Sequence, residues 1–345
     1  MAGHNVVFGQ VENFDREQVV KKPVKHYVLV SGLDYHDIWS FNSYALDEKK
    51  RIDGLANDLE IQIIYVIDIL PGTITKIEKD EGAVTETVTQ YDEITKSNYP
   101  SHHTFDDLGK TNYITKNTIY DVVLEIGTTH PKSLMEMHIF SHAYWNGPIL
   151  ANTYSTGAVD IDMRIDDTTS VSSNFTIAMN SIGYLKIWGC SFPIAANALF
   201  SRIRRNSNYS SSLIEDDVVF SYPPDHFNFV TSSGESLDLV GILNDRLGKS
   251  FNVTSKIDLT FKEIKLLAAK EFNGVYAAFL AYRAGINVYA ALPATYAEIT
   301  PSFVISSNTM QNVNFYKNHL NVTVDAGDYG LYDKTTIQGF IDMNP

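Results

Sequence analysis

His26-Tyr27-Val28-Leu29-Val30-Ser31 is a mainly apolar run of strand length, and Ile61-Gln62-Ile63-Ile64-Tyr65-Val66-Ile67-Asp68-Ile69 is a second. Between them Phe41, Tyr44, Ala45, Ile52, Leu55, Ala56 and Leu59 share one helical stripe over residues 41–59. Strand, helix and strand in that order make a βαβ unit, whose crossover leaves the two strands parallel. Strands that are apolar on both faces need helices on both sides, so the sheet is expected to be an interior layer. Pro71-Gly72 stops the second strand.

The same alternation continues outward. Thr73–Glu78 and Ala83–Gln90 alternate apolar and polar residues around Lys79-Asp80-Glu81-Gly82, which predicts a hairpin inserted after the second strand. Residues 91–115 are polar and read as loop, and Asn117–Ile126 resumes helical spacing up to Pro131. Met137–Ser141 and Tyr184–Gly189 are two further core strands, separated by a polar segment at 151–173. Pro193 opens a helix running to about Arg205. Thr260–Ala284 reads as one long helix and Ile286–Ala291 as a fifth core strand. The expected fold is a three-layer α/β/α sandwich with a mainly parallel central sheet over residues 25–300. To it are added an N-terminal extension at 1–24, the β-hairpin insertion, a polar insertion at about 206–253 and a β-rich C-terminal extension at 301–345.

Composition narrows the function. The 345 residues carry 27 cationic and 41 anionic side chains, a net charge of −14, which repels phosphate backbones and argues against nucleic-acid binding. The basic cluster Arg202-Ile203-Arg204-Arg205 reads as a solvated helix end. No stretch of 18 apolar residues occurs, so no membrane span is expected. Residues 1–20 lack the basic start and apolar run of a secretory leader, which predicts a reducing, cytoplasmic compartment. Export without a cleaved leader is compatible with the same residues. The Asn-x-Ser/Thr sites at Asn174, Asn208, Asn252 and Asn321 are read as coincidence in that setting. Oligomeric state is not legible.

Two core strands end in reactive residues. His142 follows Met137–Ser141, and Cys190, the sole cysteine, follows Tyr184–Gly189. In an open parallel sheet, ligands bind just beyond the carboxyl ends of the strands. If the two strands are neighbours, thiol and imidazole meet on one edge. A thiol needs such a base, because its ordinary pKa near ~8.5 leaves little thiolate at neutral pH. The imidazole can take that proton and later return it to a leaving amine. The oxyanion needs backbone N–H donors, and Gly189 permits close backbone approach to Cys190. The bland alternative is a buried cysteine and a satisfied core histidine, each common.

Met137-His138-Ile139-Phe140-Ser141-His142-Ala143 and Tyr184-Leu185-Lys186-Ile187-Trp188-Gly189-Cys190 resemble the two signature blocks of caspase-like cysteine peptidases, the group that includes metacaspases, gingipains and CHAT-domain proteases. The resemblance follows strand order over residues 25–295 and is sharp at those two blocks. It implies a caspase-like fold, a Cys190 nucleophile, a His142 general acid/base and an oxyanion hole from the N–H groups of Cys190 and Ala143. It also implies a peptide or protein substrate and no cofactor. The family usually has Gly where this chain has Ala143, which would strain the hole if that position required φ > 0. Asp34 or Asp37, beyond the first strand, could floor a pocket for a Lys or Arg side chain by charge-assisted contact, or could cap a helix. Tyr144 and Trp145 could wall the cleft or only pack.

Other signals are weaker. His138 and His142 with His102 and His103 could converge on zinc, but the spacing matches no known ligand set, so no metal is expected. Asp160, Asp162, Asp166 and Asp167 could line a pocket or hold Ca²⁺, but read as a solvated loop. Gly248-Lys249-Ser250 lacks the earlier glycine of a phosphate loop, since residue 243 is Leu. No Gly-x-Gly-x-x-Gly follows the first strand, and the residues around Cys190 do not form a nucleophile elbow. Three functions therefore compete: a cysteine endopeptidase working through a thioester acyl-enzyme, with cutting after a basic residue as its candidate specificity; a catalytically inactive caspase-like binding or assembly module; and a thiol hydrolase or transferase for a non-protein acyl group.

Overall fold

A computed structural model describes residues 21–35, 37–95, 112–153, 161–191, 194–210, 212–298 and 303–343. Among them, eight strands make one central sheet. In chain order these are β1 (Val24–Ser31), β2 (Ile61–Asp68), β3 (Thr73–Asp80), β4 (Ala83–Gln90), β5 (Leu134–Phe140), β6 (Met179–Trp188), β7 (Asn287–Ala290) and β8 (Gly330–Tyr332). Their order across the sheet is β8-β7-β6-β5-β1-β2-β3-β4. The five central strands run parallel, and the edges are antiparallel at β2–β3, β3–β4 and β7–β8. The expected α/β class with a mainly parallel sheet is what the chain adopts.

The burial explains why. Val28, Leu29 and Val30 of β1 and Ile63, Ile64, Tyr65, Val66 and Ile67 of β2 are buried on both faces of their strands. The predicted hairpin is β3–β4, and it extends the sheet as an edge in place of standing apart.

The helices connecting these strands are α1 (Asn42–Asp53), α2 (Lys116–Thr129), α3 (Thr168–Ala178), α4 (Ile194–Arg204), α5 (Leu239–Leu247), α6 (Phe261–Asn273), α7 (Tyr276–Ala284), α8 (Met310–His319) and α9 (Lys334–Asp342). From β1 the chain crosses by α1 to β2 on one side. From β5 it moves the other way, by α3 to β6 and then by α7 to β7. Right-handed crossovers then place α1 on one face and α2, α3 and α7 on the other. Packing agrees, since α2 touches α3, α3 touches α7, and Tyr44 of α1 stacks on Phe140 at 6.4 Å. The direction reverses between β1 and β5. That reversal opens a crevice beyond their carboxyl ends, where ligands bind in folds of this kind.

Several expectations need correction. The first helix stops at Asp53, and Leu55 and Leu59 are exposed. Gly54, whose N–H already bonds to Lys50 and Arg51, ends it. Thr168–Ala178 is a helix where only a polar segment was read. Its Ser- and Thr-rich sequence has weak helix propensity, and burial of Val171, Phe175 and Ala178 overrides that. The long helix at 260–284 is two helices. Thr260 and Glu263 form a capping box at the start of α6, but Gly274 and an extended Val275 break the helix before α7. The polar insertion at 206–253 holds α5, capped by Asp238, and a small hairpin of Asn228–Val230 with Ser236–Asp238. The stretch 301–345 is not β-rich. It contains α8 and α9, and its strand β8 completes the main sheet against β7. Its buried Val313, Phe315, Tyr316, Ile337 and Phe340 pack by helical spacing, not by alternation. The residues of the 1–24 extension before 21 lie outside the described residues.

Candidate active site

The crevice gathers residues that lie far apart in sequence. Asp34 comes just after β1, in a two-residue strand that pairs with Trp39–Ser40. His142 comes just after β5 and begins a tight hairpin of His142–Tyr144 against Gly147–Ile149. At the hairpin turn Gly147 adopts φ +141, where a side chain would strike the Met163 carbonyl. Cys190 comes two residues after the end of β6.

β5 and β6 are parallel neighbours with Phe140 opposite Trp188. Two further residues along each strand lead to His142 and Cys190, on the same edge. Contact between the strand ends persists past the ladder. A Cβ built on Gly189 would lie 2.6 Å from the Ala143 Cβ and 2.9 Å from the Ser141 carbonyl oxygen. Only glycine lets the Cys190 backbone lie this close to the His142 segment.

The imidazole is held on three sides. Its Nε2 is 3.1 Å from Asp34 Oδ1, with the two side chains 18% and 9% exposed. The Tyr35 ring lies at 4.7 Å and the Phe41 ring meets it edge-on at 5.4 Å. A carboxylate accepting from Nε2–H fixes the tautomer and places the basic lone pair on Nδ1. Partial burial strengthens that hydrogen bond, which would be weak in open water. Burial, with Asp34 and the Cys190 thiol nearby, pushes the Tyr35 phenol above its ordinary range, so Tyr35 stays neutral.

The thiol is less committed. Cys190 is half-buried, and its one hydrogen bond is donated to the Ala297 carbonyl at 3.9 Å. Burial pushes its pKa up, and the Ala297 contact offsets this only in part. At neutral pH it is a thiol. The Cys190 N–H finds no acceptor among the described residues. Ala143 is not at positive φ, so alanine at this position carries no left-handed strain.

The remaining expected residues separate into two sets. Tyr144 and Trp145 line a small cavity together with Cys190 and Ala143 and are partly exposed at 36% and 39%. Asp34 binds the imidazole, a contact that the expectation of a pocket floor or a helix cap did not include. The reason is geometric: β1 and β5 are adjacent, so the first acid beyond β1 meets the histidine beyond β5. Asp37 lies exposed in the turn that follows. Asp162 is 2% exposed and accepts N–H groups from Ala151, Asn152 and Thr153, a loop clamp and no cation site. Asp167 pairs with Lys116 at 2.8 Å, and Asp166 is exposed. Asp160, His102 and His103 lie outside the described residues.

His138 does not join His142. Its Nδ1 accepts from Trp188 Nε1–H at 3.0 Å, and its Nε2 lies 3.0 Å from Glu136. Glu48, Glu136 and His138 do converge, with ligand atoms within 4.8 Å of one another. The Arg51 guanidinium bonds both carboxylates and takes the cation's place there. Of the basic cluster, Arg202 donates to the Asn228 carbonyl and Arg204 to Asn312, so it serves packing more than solvent. Sequence reasoning missed the Asp34–His142 pairing, the buried Ser191 and the contribution of α7. Only the first left a signal, a short acidic residue just past the strand at the point of reversal.

No protein-family model matches the chain, and no curated protein does. Among solved structures, one match is a secreted C11 cysteine protease from Bacteroides thetaiotaomicron in complex with an irreversible peptide inhibitor. The TM-score is 0.29 with 14% identity over 51% of this chain and 45% of that one, so this match spans under half of that protein's length. A second is the secreted C11 cysteine protease iotapain from the same organism, with TM-score 0.29 and 12% identity over 94% of this chain and 85% of that one. At such a TM-score neither likeness carries an argument about family or activity. Among the described residues no helix is long and apolar enough to cross a membrane.

Proposed function

We propose that the chain is a cysteine endopeptidase in which Cys190 is the nucleophile and His142 the general acid/base, with Asp34 holding the imidazole. One placement supports the reading. Cys190 and an imidazole already bound to a buried carboxylate stand beyond adjacent parallel strands, at the reversal point of the sheet. Their chemistry needs no cofactor. The proposed mechanism requires the thiol to exchange its weak Ala297 contact for the imidazole, and catalytic contacts commonly tighten only when substrate binds. The Nδ1 lone pair takes the thiol proton, and the Asp34 charge stabilises the imidazolium that forms. Sulfur adds to the peptide carbonyl. The oxyanion is met by the N–H of Cys190, which has no competing acceptor, and by that of Ala143. The imidazolium protonates the departing amine, leaving a thioester. Water, deprotonated by the same imidazole, then releases the acid. Tyr144 and Trp145 supply an aromatic border for a peptide.

A second reading has one observation in its favour. The buried thiol, bonded to Ala297 and shifted away from ionisation, is what a purely structural cysteine looks like. Cys190→Ala and His142→Ala decide between them. As a peptidase, each variant keeps its fold by circular dichroism and loses about 10³-fold or more in kcat/KM on fluorogenic peptides. Peptide cleavage that survives Cys190→Ala would overturn the proposal, and so would a wild-type protein that cleaves none.

A further inference from the structure

We infer that the cavity beside Cys190 receives the side chain preceding the scissile bond, and that it takes a small uncharged one: the hydrogen, methyl or hydroxymethyl of Gly, Ala or Ser. This rests on the peptidase reading above and goes beyond it to a substrate class. The cavity lies between the ends of β5, β6 and β7 and the start of α7. Ala143, Ala277, Ala290 and Ala291 form much of its wall, and among the described residues none of its lining side chains is charged. Its volume is about 20 Å³, little more than the space that one water needs. A methyl or hydroxymethyl group fits that space, whereas the long stem of Arg or Lys would have to leave it through the open side of the cavity. A cation buried there would also lack a counter-ion, since Asp34 is bound to His142 and Asp37 is not part of the wall.

Two polar features point inward to a ligand. Ser191 is 5% exposed, and its buried Oγ has no hydrogen-bond partner among the described residues. Buried hydroxyls are rarely left unsatisfied, so an orphan beside a nucleophile marks a place where a bound group completes the bond. The second feature is the break between α6 and α7. It starts a new helix at the cavity, where Tyr276 N–H is taken by the Trp145 carbonyl at 2.8 Å. The next N–H, at Ala277, has no acceptor within the helix. Ser191 and Ala277 thus offer a hydroxyl and an amide hydrogen to the carbonyl or hydroxyl of the residue seated there.

The test uses the full chain and a fluorogenic tetrapeptide series differing only in the last residue: Gly, Ala, Ser, Leu, Asp, Lys and Arg. Peptidyl acyloxymethyl ketones ending in Ala or Arg run alongside, with adducts on Cys190 read by intact mass. The expected result is a kcat/KM at least tenfold higher for one of Gly, Ala or Ser than for every other ending, with the Ala ketone labelling faster than the Arg ketone. Ala277→Val, which adds volume to the wall, should raise the Gly-over-Ala ratio at least fivefold. Ser191→Ala should raise KM for all three small endings with the unfolding midpoint unchanged. Preferred cleavage after Leu, Asp, Lys or Arg would overturn the pocket while the peptidase reading stands. If no peptide is cut and neither ketone labels, while iodoacetamide does modify Cys190, the peptidase reading falls and the pocket with it.

Discussion

Gly189→Ala isolates the contact between the Cys190 segment and the segment around His142. Gly189 is not at positive φ, so alanine meets no backbone penalty there. Replacing glycine at an unstrained position would by itself stabilise the fold by about 0.4–1 kcal/mol through the unfolded chain. Against that, the new Cβ would sit 2.6 Å from the Ala143 Cβ, 2.9 Å from the Ser141 carbonyl and 3.0 Å from the Ala143 nitrogen. Carbon atoms in good contact lie roughly 3.5–4.0 Å apart, so the strand ends must part by about 1 Å. Two of the three opposing atoms belong to backbone, which cannot swing aside as a flexible side chain would. Overpacking of this kind costs about 1–3 kcal/mol, so the variant should be less stable despite the entropic gain. The displacement falls between the segments of the proposed nucleophile and base, where on that proposal a shift of about 1 Å should lower activity on the order of 10²-fold. Urea unfolding, with the midpoint and slope fitted separately, gives the first number, and kcat/KM on the preferred peptide gives the second. Gly339→Ala in α9 is the matched control, because nothing lies within 4 Å of its added Cβ; it should be neutral or stabilising. A Gly189→Ala protein as stable as wild type and active within twofold would show that the two strand ends do not meet as described.

Three other outcomes follow from the same site and core. Asp34→Asn keeps the size of the imidazole's partner but not its charge; kcat should fall about 10²–10⁴-fold with KM nearly unchanged, and a change confined to KM would remove Asp34 from the imidazole. The raised pKa of Cys190 predicts that its alkylation by iodoacetamide still accelerates between pH 8 and pH 9; a rate that plateaus below pH 8 would mean a thiolate–imidazolium pair in the resting protein. His26 is buried against Ser133 at 2.8 Å, and burial, with His130 and Lys76 nearby, holds its pKa down to about 3. The unfolded chain therefore takes up a proton through pH 6.5 that the folded chain refuses, and stability drops as pH falls toward 3, by about 3 kcal/mol at pH 4 on this linkage alone. Urea midpoints across that range should flatten in His26→Gln, and an equal slope in the variant would assign acid lability elsewhere.

The parallel core could be read from the sequence because its signal is local. Tyr27–Val30, Ile63–Ile67, Met137–Phe140 and Leu185–Trp188 are apolar runs that only an interior sheet can accommodate. Which strands are neighbours is not local information, and the site depends on it. Only the order β6-β5-β1 brings the residues after three strands to one rim. The break before α7 was hidden because Gly274 interrupts an apolar period that continues on both sides, and tertiary contact at Trp145, not propensity, decides that a new helix starts at Tyr276. Ser191 was invisible for a different reason. A serine beside a cysteine is ordinary in sequence, and it becomes informative only when its hydroxyl is buried without a partner.

The position of Asp34 links catalysis to specificity through a single charge. A carboxylate at the first strand's end could serve either as the counter-ion of a basic substrate or as the anchor of an imidazole. It cannot do both well, because a guanidinium drawn to Asp34 would pull the carboxylate from Nε2 and release the ring. Among the described residues the cavity beside Cys190 offers no other carboxylate. On the peptidase reading, a chain that commits this acid to His142 would recognise the substrate by shape and by neutral hydrogen bonds, which an alanine-walled cavity with a hydroxyl unpaired among the described residues would provide. The dependence is directional. Restoring a charge to that wall, for instance by Ala291→Asp, should admit basic residues only if it also leaves the Asp34–His142 pair intact. In that variant alone, Asp34→Asn should lower cleavage after Lys and after Ala by the same factor.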